Sequence, residues 1–133
     1  KNVSKRFGEG RTEIEALKET DLLLIHIEAP DECGHRGEAD NKKYAVEMID
    51  KEVIGYLRKR LEDAGIDYKM MILPDHPTPI KLKTHVSDPV PYIIYDSTKS
   101  IQNNRIYCEK DAKDTGMYIE DGYKLMSHFL DME

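Results

Sequence analysis

The feature that most restricts the fold is a periodic stripe in the middle of the chain. From Ala39 to Ala64, apolar side chains recur at Ala45, Met48, Ile49, Val53, Tyr56, Leu57 and Leu61, the spacing of an amphipathic helix of about seven turns. Gly65 stands where that helix should stop, since glycine readily takes the left-handed conformation that ends helices. A helix this long needs an apolar surface to lie on. Leu22-Leu23-Leu24-Ile25-His26-Ile27 is an apolar run broken only by His26, and it reads as a buried parallel strand. Tyr68 to Leu73, ending at Pro74, predicts a second strand, and Tyr92 to Tyr95, preceded by Pro89 and Pro91, a third. Strand, long helix, strand is a βαβ unit with a right-handed crossover, so the expected class is α/β with a mainly parallel sheet.

The flanks carry weaker signals. Residues 1 to 11 are polar, with Gly8 and Gly10, and read as a loop. Thr12 and Glu15 have the form of a capping box, which predicts a helix from about Glu13 to Glu19. Beyond the third strand, a short helix is expected near Glu109 to Asp114, an extended stretch around Tyr118 and a last helix from about Tyr123 to Leu130, separated by Gly116 and Gly122. With 133 residues the chain suits one domain, yet it is short for an open α/β sheet covered on both faces. It begins at Lys1 without a methionine, which leads us to expect a portion of a longer protein.

Charge and cysteine usage remove several function classes. Lys plus Arg number 20 against 26 Asp plus Glu, a net charge of −6 with the basic residues scattered; nucleic acid is not an expected partner. No apolar run approaches the roughly 18 residues of a membrane span, and the first residues lead into no signal-like apolar region, so no membrane partner is expected either. Cys33 and Cys108 make no disulfide framework, which fits a reducing, cytoplasmic compartment.

The chemistry lies in the loops that follow the apolar runs. In open parallel sheets, ligands bind outside the carboxyl ends of the strands. Asp31 and His35 follow the first run, Asp75 and His76 follow the second, and His85 lies shortly before the third. Asp31 and His35 are spaced i, i+4, although Pro30 and Gly34 favour a tight turn over a regular helix. Each of these five residues, taken alone, has an ordinary reading as a turn former, cap or solvated side chain. All five at one sheet edge favour metal ligation. Asp31, His35 and His85 make a three-ligand site with a position left open, as in catalytic rather than structural zinc-type centres. Asp75 and His76 make an incomplete second site. His26, inside an expected strand, reads as a core residue, His128 as a surface residue of the last helix and Cys33 as a bystander. Arg36 beside the metal loop could fork onto a phosphate or carboxylate of a substrate, or form a structural salt bridge.

Three segments carry a family resemblance: His26-Ile27-Glu28-Ala29-Pro30-Asp31-Glu32-Cys33-Gly34-His35-Arg36-Gly37, Leu73-Pro74-Asp75-His76-Pro77-Thr78-Pro79 and Thr84-His85-Val86-Ser87-Asp88-Pro89-Val90-Pro91. In this order, with Gly122-Tyr123 in the tail, the chain resembles the archaeal-type cofactor-independent phosphoglycerate mutases of the alkaline phosphatase superfamily. The resemblance implies a three-layer αβα phosphatase-like core, of which residues 1–133 would be a C-terminal, metal-binding portion. It implies that Asp31, His35 and His85 bind one divalent ion and Asp75 and His76 another (manganese, zinc, magnesium or cobalt), with no bisphosphoglycerate. It implies interconversion of 2-phosphoglycerate and 3-phosphoglycerate through a phosphoserine, a step of glycolysis and gluconeogenesis. The family's nucleophilic serine and the aspartate that completes its second site have no match here; Ser4 and Asp21 stand in the wrong context. No catalytic nucleophile is therefore expected in this chain, which alone should be inactive. Its expected partners are a small phosphorylated acid and the N-terminal part of the same enzyme, with self-association through apolar surface that part would cover. A phosphatase or homoserine kinase-like phosphotransferase of the same superfamily would share the metal ligands, and a non-catalytic metal-binding domain is the alternative from another class.

Overall fold

A computed structural model describes residues 21–99 and 105–132. The expected loop at 1 to 11 and helix at 13 to 19 lie outside the described residues. Helix α1 spans Ala29–Arg36, α2 spans Ala39–Met48, a π-helical segment Ile49–Gly55 follows directly, and α3 spans Tyr56–Asp63. Strands β1 (Lys69–Ile72) and β2 (Ile93–Asp96) come next. The chain then forms α4 (Glu109–Lys113), a 3-10 turn (Gly122–Lys124) and α5 (Leu125–Asp131).

The stripe helix forms as its periodicity predicts. Backbone angles at Ile49, Gly55 and Tyr56 are all right-handed helical, so 39–63 run as one helical rod with a π-helical middle. Ala45, Met48, Ile49, Val53, Leu57 and Leu61 are half-buried, whereas Tyr56 is exposed. The rod stops at Gly65, where φ is +64°. The Gly65 N–H donates to the Glu62 carbonyl and the Ile66 N–H to the Leu61 carbonyl, which satisfies carbonyls that the helix end would otherwise orphan.

Two expectations fail, each for a physical reason. Residues 22–27 form no strand: Leu22, Leu23 and Leu24 are 51, 49 and 78% exposed, and His26 faces solvent 3.8 Å from a Glu28 carboxylate oxygen instead of lying in a core. A strand exists only when its N–H and C=O groups find a neighbouring strand, and among the described residues none lies beside this run. The βαβ unit that depended on it does not form among the described residues. The second and third expected strands do form, but they pair antiparallel, with Lys69 opposite Asp96 and Ile72 opposite Ile93. The described residues thus mix helices with a two-stranded antiparallel sheet, not a parallel one.

The third correction concerns 30–36, expected as a tight turn and found as helix α1. Pro30 occupies the first turn, where its missing N–H costs nothing, and Asp31 and Glu32 face the positive end of the helix dipole. Gly37 closes the helix at φ +75°, with the Gly37 N–H bonded to the Gly34 carbonyl and the Glu38 N–H to the Cys33 carbonyl. Gly34 sits inside the helix because Thr78 packs on it: a Cβ there would lie 2.7 Å from the Thr78 carbonyl oxygen. Helix α1 packs against α2. At the far end, Leu125 and Phe129 of α5 are buried, and His128 on the same helix is exposed, as expected.

Candidate metal centre

Helix α1 sets the geometry of the site. Asp31 and His35 are one turn apart and therefore share a face, with His35 Nε2 3.4 Å from Asp31 Oδ2. The loop between β1 and β2 delivers the rest. Its 77–86 stretch is held by the Val86 N–H donating to the Pro77 carbonyl and the Lys83 N–H to the Pro79 carbonyl. His85 Nε2 arrives 3.4 Å from Asp31 Oδ1 and 2.9 Å from His35 Nε2. His76 stacks on His85, their ring centroids 3.7 Å apart. Ligand atoms of Asp31, His76 and His85 lie within 4.8 Å of one another.

The surrounding hydrogen bonds orient these groups. His35 Nδ1 is 3.0 Å from the Lys83 carbonyl; a carbonyl only accepts, so Nδ1 carries the proton and Nε2 presents its lone pair to the cluster. This is the outer-shell arrangement that metal-ligating histidines use. Lys83 takes a left-handed backbone, φ +55°, in presenting that carbonyl. The Thr78 hydroxyl donates to Asp31 Oδ1 and holds the Asp31 carboxyl below the ordinary aspartate range; burial opposes this, and the imidazoles of His35, His85 and His76 add to the lowering.

The donor set fits a divalent ion. One carboxylate and several imidazoles suit zinc and manganese. The spacings of 2.9 to 3.4 Å are close to the about 3.3 Å that separates donors of a tetrahedral ion bound at about 2.0–2.1 Å.

Of the residues singled out from sequence, Asp31, His35 and His85 meet pairwise at 2.9 to 3.4 Å, while the three whose ligand atoms gather within 4.8 Å of one another are Asp31, His85 and His76, the last of which also keeps its contact with Asp75. Asp75 is 64% exposed; among the described residues its carboxylate meets His76, accepting from its backbone N–H at 3.1 Å and lying 3.5 Å from its Nε2. Arg36 points along α1 to Glu32, 2.8 Å away, which is the salt-bridge reading. Cys33 is half-buried and unbridged. Sequence reasoning missed Thr78, Gly34 and the Lys83 carbonyl. Thr78 had a faint signal, as a threonine between two prolines in the same segment as His76; a backbone carbonyl has none.

The model of the family described as "Metalloenzyme superfamily" matches residues 4–117. The chain belongs to this metalloenzyme superfamily. Among its relatives, a protein of Geobacter sulfurreducens named probable 2,3-bisphosphoglycerate-independent phosphoglycerate mutase is 39% identical over 126 residues, 93% of this chain and 31% of the relative. Proteins named 2,3-bisphosphoglycerate-independent phosphoglycerate mutase from Methanothrix thermoacetophila and, as mutase 2, from Methanothermobacter thermautotrophicus are each 39% identical, over 90% and 93% of this chain and 30% of their own length. The resemblance read from the three motifs is thus matched by similarity along nearly the whole chain. The chain spans about 30% of the length of these curated relatives. No solved structure matches it. No described helix of this superfamily member is long and apolar enough to cross a membrane.

Proposed function

We propose that residues 1–133 are the metal-binding, C-terminal portion of the core domain of a 2,3-bisphosphoglycerate-independent phosphoglycerate mutase, working in the cytoplasm. The observation that carries this reading is the convergence of Asp31, His35 and His85 from a helix and a distant loop, within 3.4 Å of one another. In this reading Asp31, His35 and His85 hold one divalent ion (manganese, zinc, magnesium or cobalt), and Asp75 and His76 contribute to a second. Bound there, such ions would supply positive charge against the oxygens of a transferring phosphoryl group and ease ionisation of an attacking hydroxyl. The chain's own residues bring the Asp31 carboxylate and the Nε2 atoms of His35 and His85 together, His35 accepting from His85 until an ion takes the place of that proton, and keep Asp31 ionised.

The serine that would carry the phosphoryl group between the two positions of a phosphoglycerate is not assigned to any residue here. The remaining layers of a three-layer αβα core with a mainly parallel sheet are likewise assigned to the rest of the protein. The exposed run 22–27 is the surface such a neighbour would cover, and left uncovered it favours self-association.

Two measurements test the reading. Titration of the chain with zinc or manganese should show tight binding of one ion that His35→Ala abolishes; no binding, or binding indifferent to that substitution, overturns it. Interconversion of 2-phosphoglycerate and 3-phosphoglycerate should be absent from the chain alone and present, without added bisphosphoglycerate, in the longer protein that contains it.

A further inference from the structure

Thr78 is 3% exposed, the buried polar residue among those described. It lies where the two groups of candidate ligands meet. Its Oγ1 bonds Asp31 Oδ1 on one side and is 3.3 Å from His76 Nδ1 on the other. Its backbone is clamped as well: Lys42 Nζ of α2 donates to the Thr78 carbonyl at 2.7 Å, and Gly34 of α1 lets that carbonyl and the Cγ2 methyl come within 2.7 and 2.9 Å of where a Cβ would be. A threonine hydroxyl has one proton. The ionised Asp31 carboxylate can only accept, so that proton goes to Oδ1 and a lone pair of Oγ1 faces His76. His76 Nδ1 must then be the donor.

We infer that Thr78 is a positioning residue that fixes His76 in the Nδ1–H tautomer and joins it to Asp31 through a directional chain, His76 Nδ1–H to Thr78 Oγ1–H to Asp31 Oδ1. The consequence is a lone pair on His76 Nε2, on the ring that stacks against His85. The influence in the other direction is Asp75, whose carboxylate would favour a proton on Nε2; at 3.5 Å it is at the outer edge of a hydrogen bond, and its own solvation weakens the pull. His35 reaches the same tautomer through the Lys83 carbonyl. Two histidines are thus aimed by different means, one by backbone and one by a side chain that also holds the aspartate. The link to metal affinity rests on the metal-centre reading above; the tautomer does not.

Long-range proton–nitrogen NMR on the nitrogen-labelled chain, at a pH where imidazoles are neutral, reads the tautomer without any metal. His76 should show Nδ1–H in the wild type and in Thr78→Ser, and should lose it in Thr78→Val, while the dispersed backbone amide spectrum, including the β1–β2 pairs Lys69–Asp96 and Ile72–Ile93, stays put and reports that the fold is intact. A wild-type His76 with its proton on Nε2 overturns the inference whatever the variants do, and so does an unchanged His76 in a folded Thr78→Val. Zinc titration should then show affinity lowered about tenfold or more in Thr78→Val, the outer-shell range, and restored by Thr78→Ser; equal affinities overturn the coupling. If the wild type binds no zinc but shows the Nδ1–H tautomer, the metal-centre reading falls and the hydrogen-bond chain stands.

Discussion

Asp31 and Asp75 both sit close to a histidine, and the fold treats them in opposite ways. Asp31 rides on α1, receives the buried Thr78 hydroxyl and lies within 3.4 Å of two imidazoles. Asp75 follows β1 in a bend, is 64% exposed and, among the described residues, has His76 as its contact. The difference is preorganisation. A donor locked by packing and outer-shell hydrogen bonds has already lost the freedom that binding would otherwise take from it, whereas a solvated carboxylate must be ordered when the ligand arrives. The two aspartates should therefore respond unequally to the same perturbations.

The largest separation is expected from ligand removal. His35→Ala or Asp31→Ala should lower zinc affinity by more than the about 100-fold that the loss of an outer-shell partner can cause, and Asp75→Ala by less than about tenfold. Calorimetric titration reads both, and equal losses would erase the distinction between the two aspartates. Next comes the contact that seats α1. Gly34→Ala drives a Cβ to 2.7 Å from the Thr78 carbonyl, an overpacking cost of about 1–3 kcal/mol that the roughly 1 kcal/mol better helix propensity of alanine only partly offsets. Denaturant unfolding should show a net loss, with the Asp31 side of the site perturbed and the Asp75 side not.

A pH effect sharpens the comparison further. Because the Asp31 carboxyl is held below its ordinary range, chiefly by Thr78, the folded state binds its proton less readily than the unfolded chain does. Its contribution to stability is present above the unfolded aspartate value of about 3.9 and is lost as pH falls through the lower folded value. Thr78→Val should raise the Asp31 midpoint in an NMR carboxyl titration and flatten that acid-side loss. The smallest effect is expected from Arg36→Ala, which removes a solvated pair with Glu32 worth less than about 0.5 kcal/mol. Zinc affinity should not change, and a marked drop would mean that Arg36 belongs to the site.

The helical rod and the donors were legible for different reasons. Periodicity and Gly65 specify a helix locally, and the rod ends at that glycine. The donor residues were legible from residue type and from their place after apolar runs. The conformation of 30–36 was not, because Gly34 resembles a turn signal until Thr78 is seen lying against it. Nor was the grouping of His76 with Asp31 and His85, since its partners lie on other parts of the chain.

By itself, the sequence determined which segments can be helix or extended, where the long helix stops and which side chains carry donor chemistry, for these follow from local propensity and periodicity. Only the tertiary structure decided that Leu22 to Ile27 finds no strand partner among the described residues, that β1 and β2 run antiparallel, and that Thr78 ties the two groups of donors together. Each of those depends on pairing or close contact between residues far apart in the chain, and hydropathy along one segment carries no information about which distant segment will meet it.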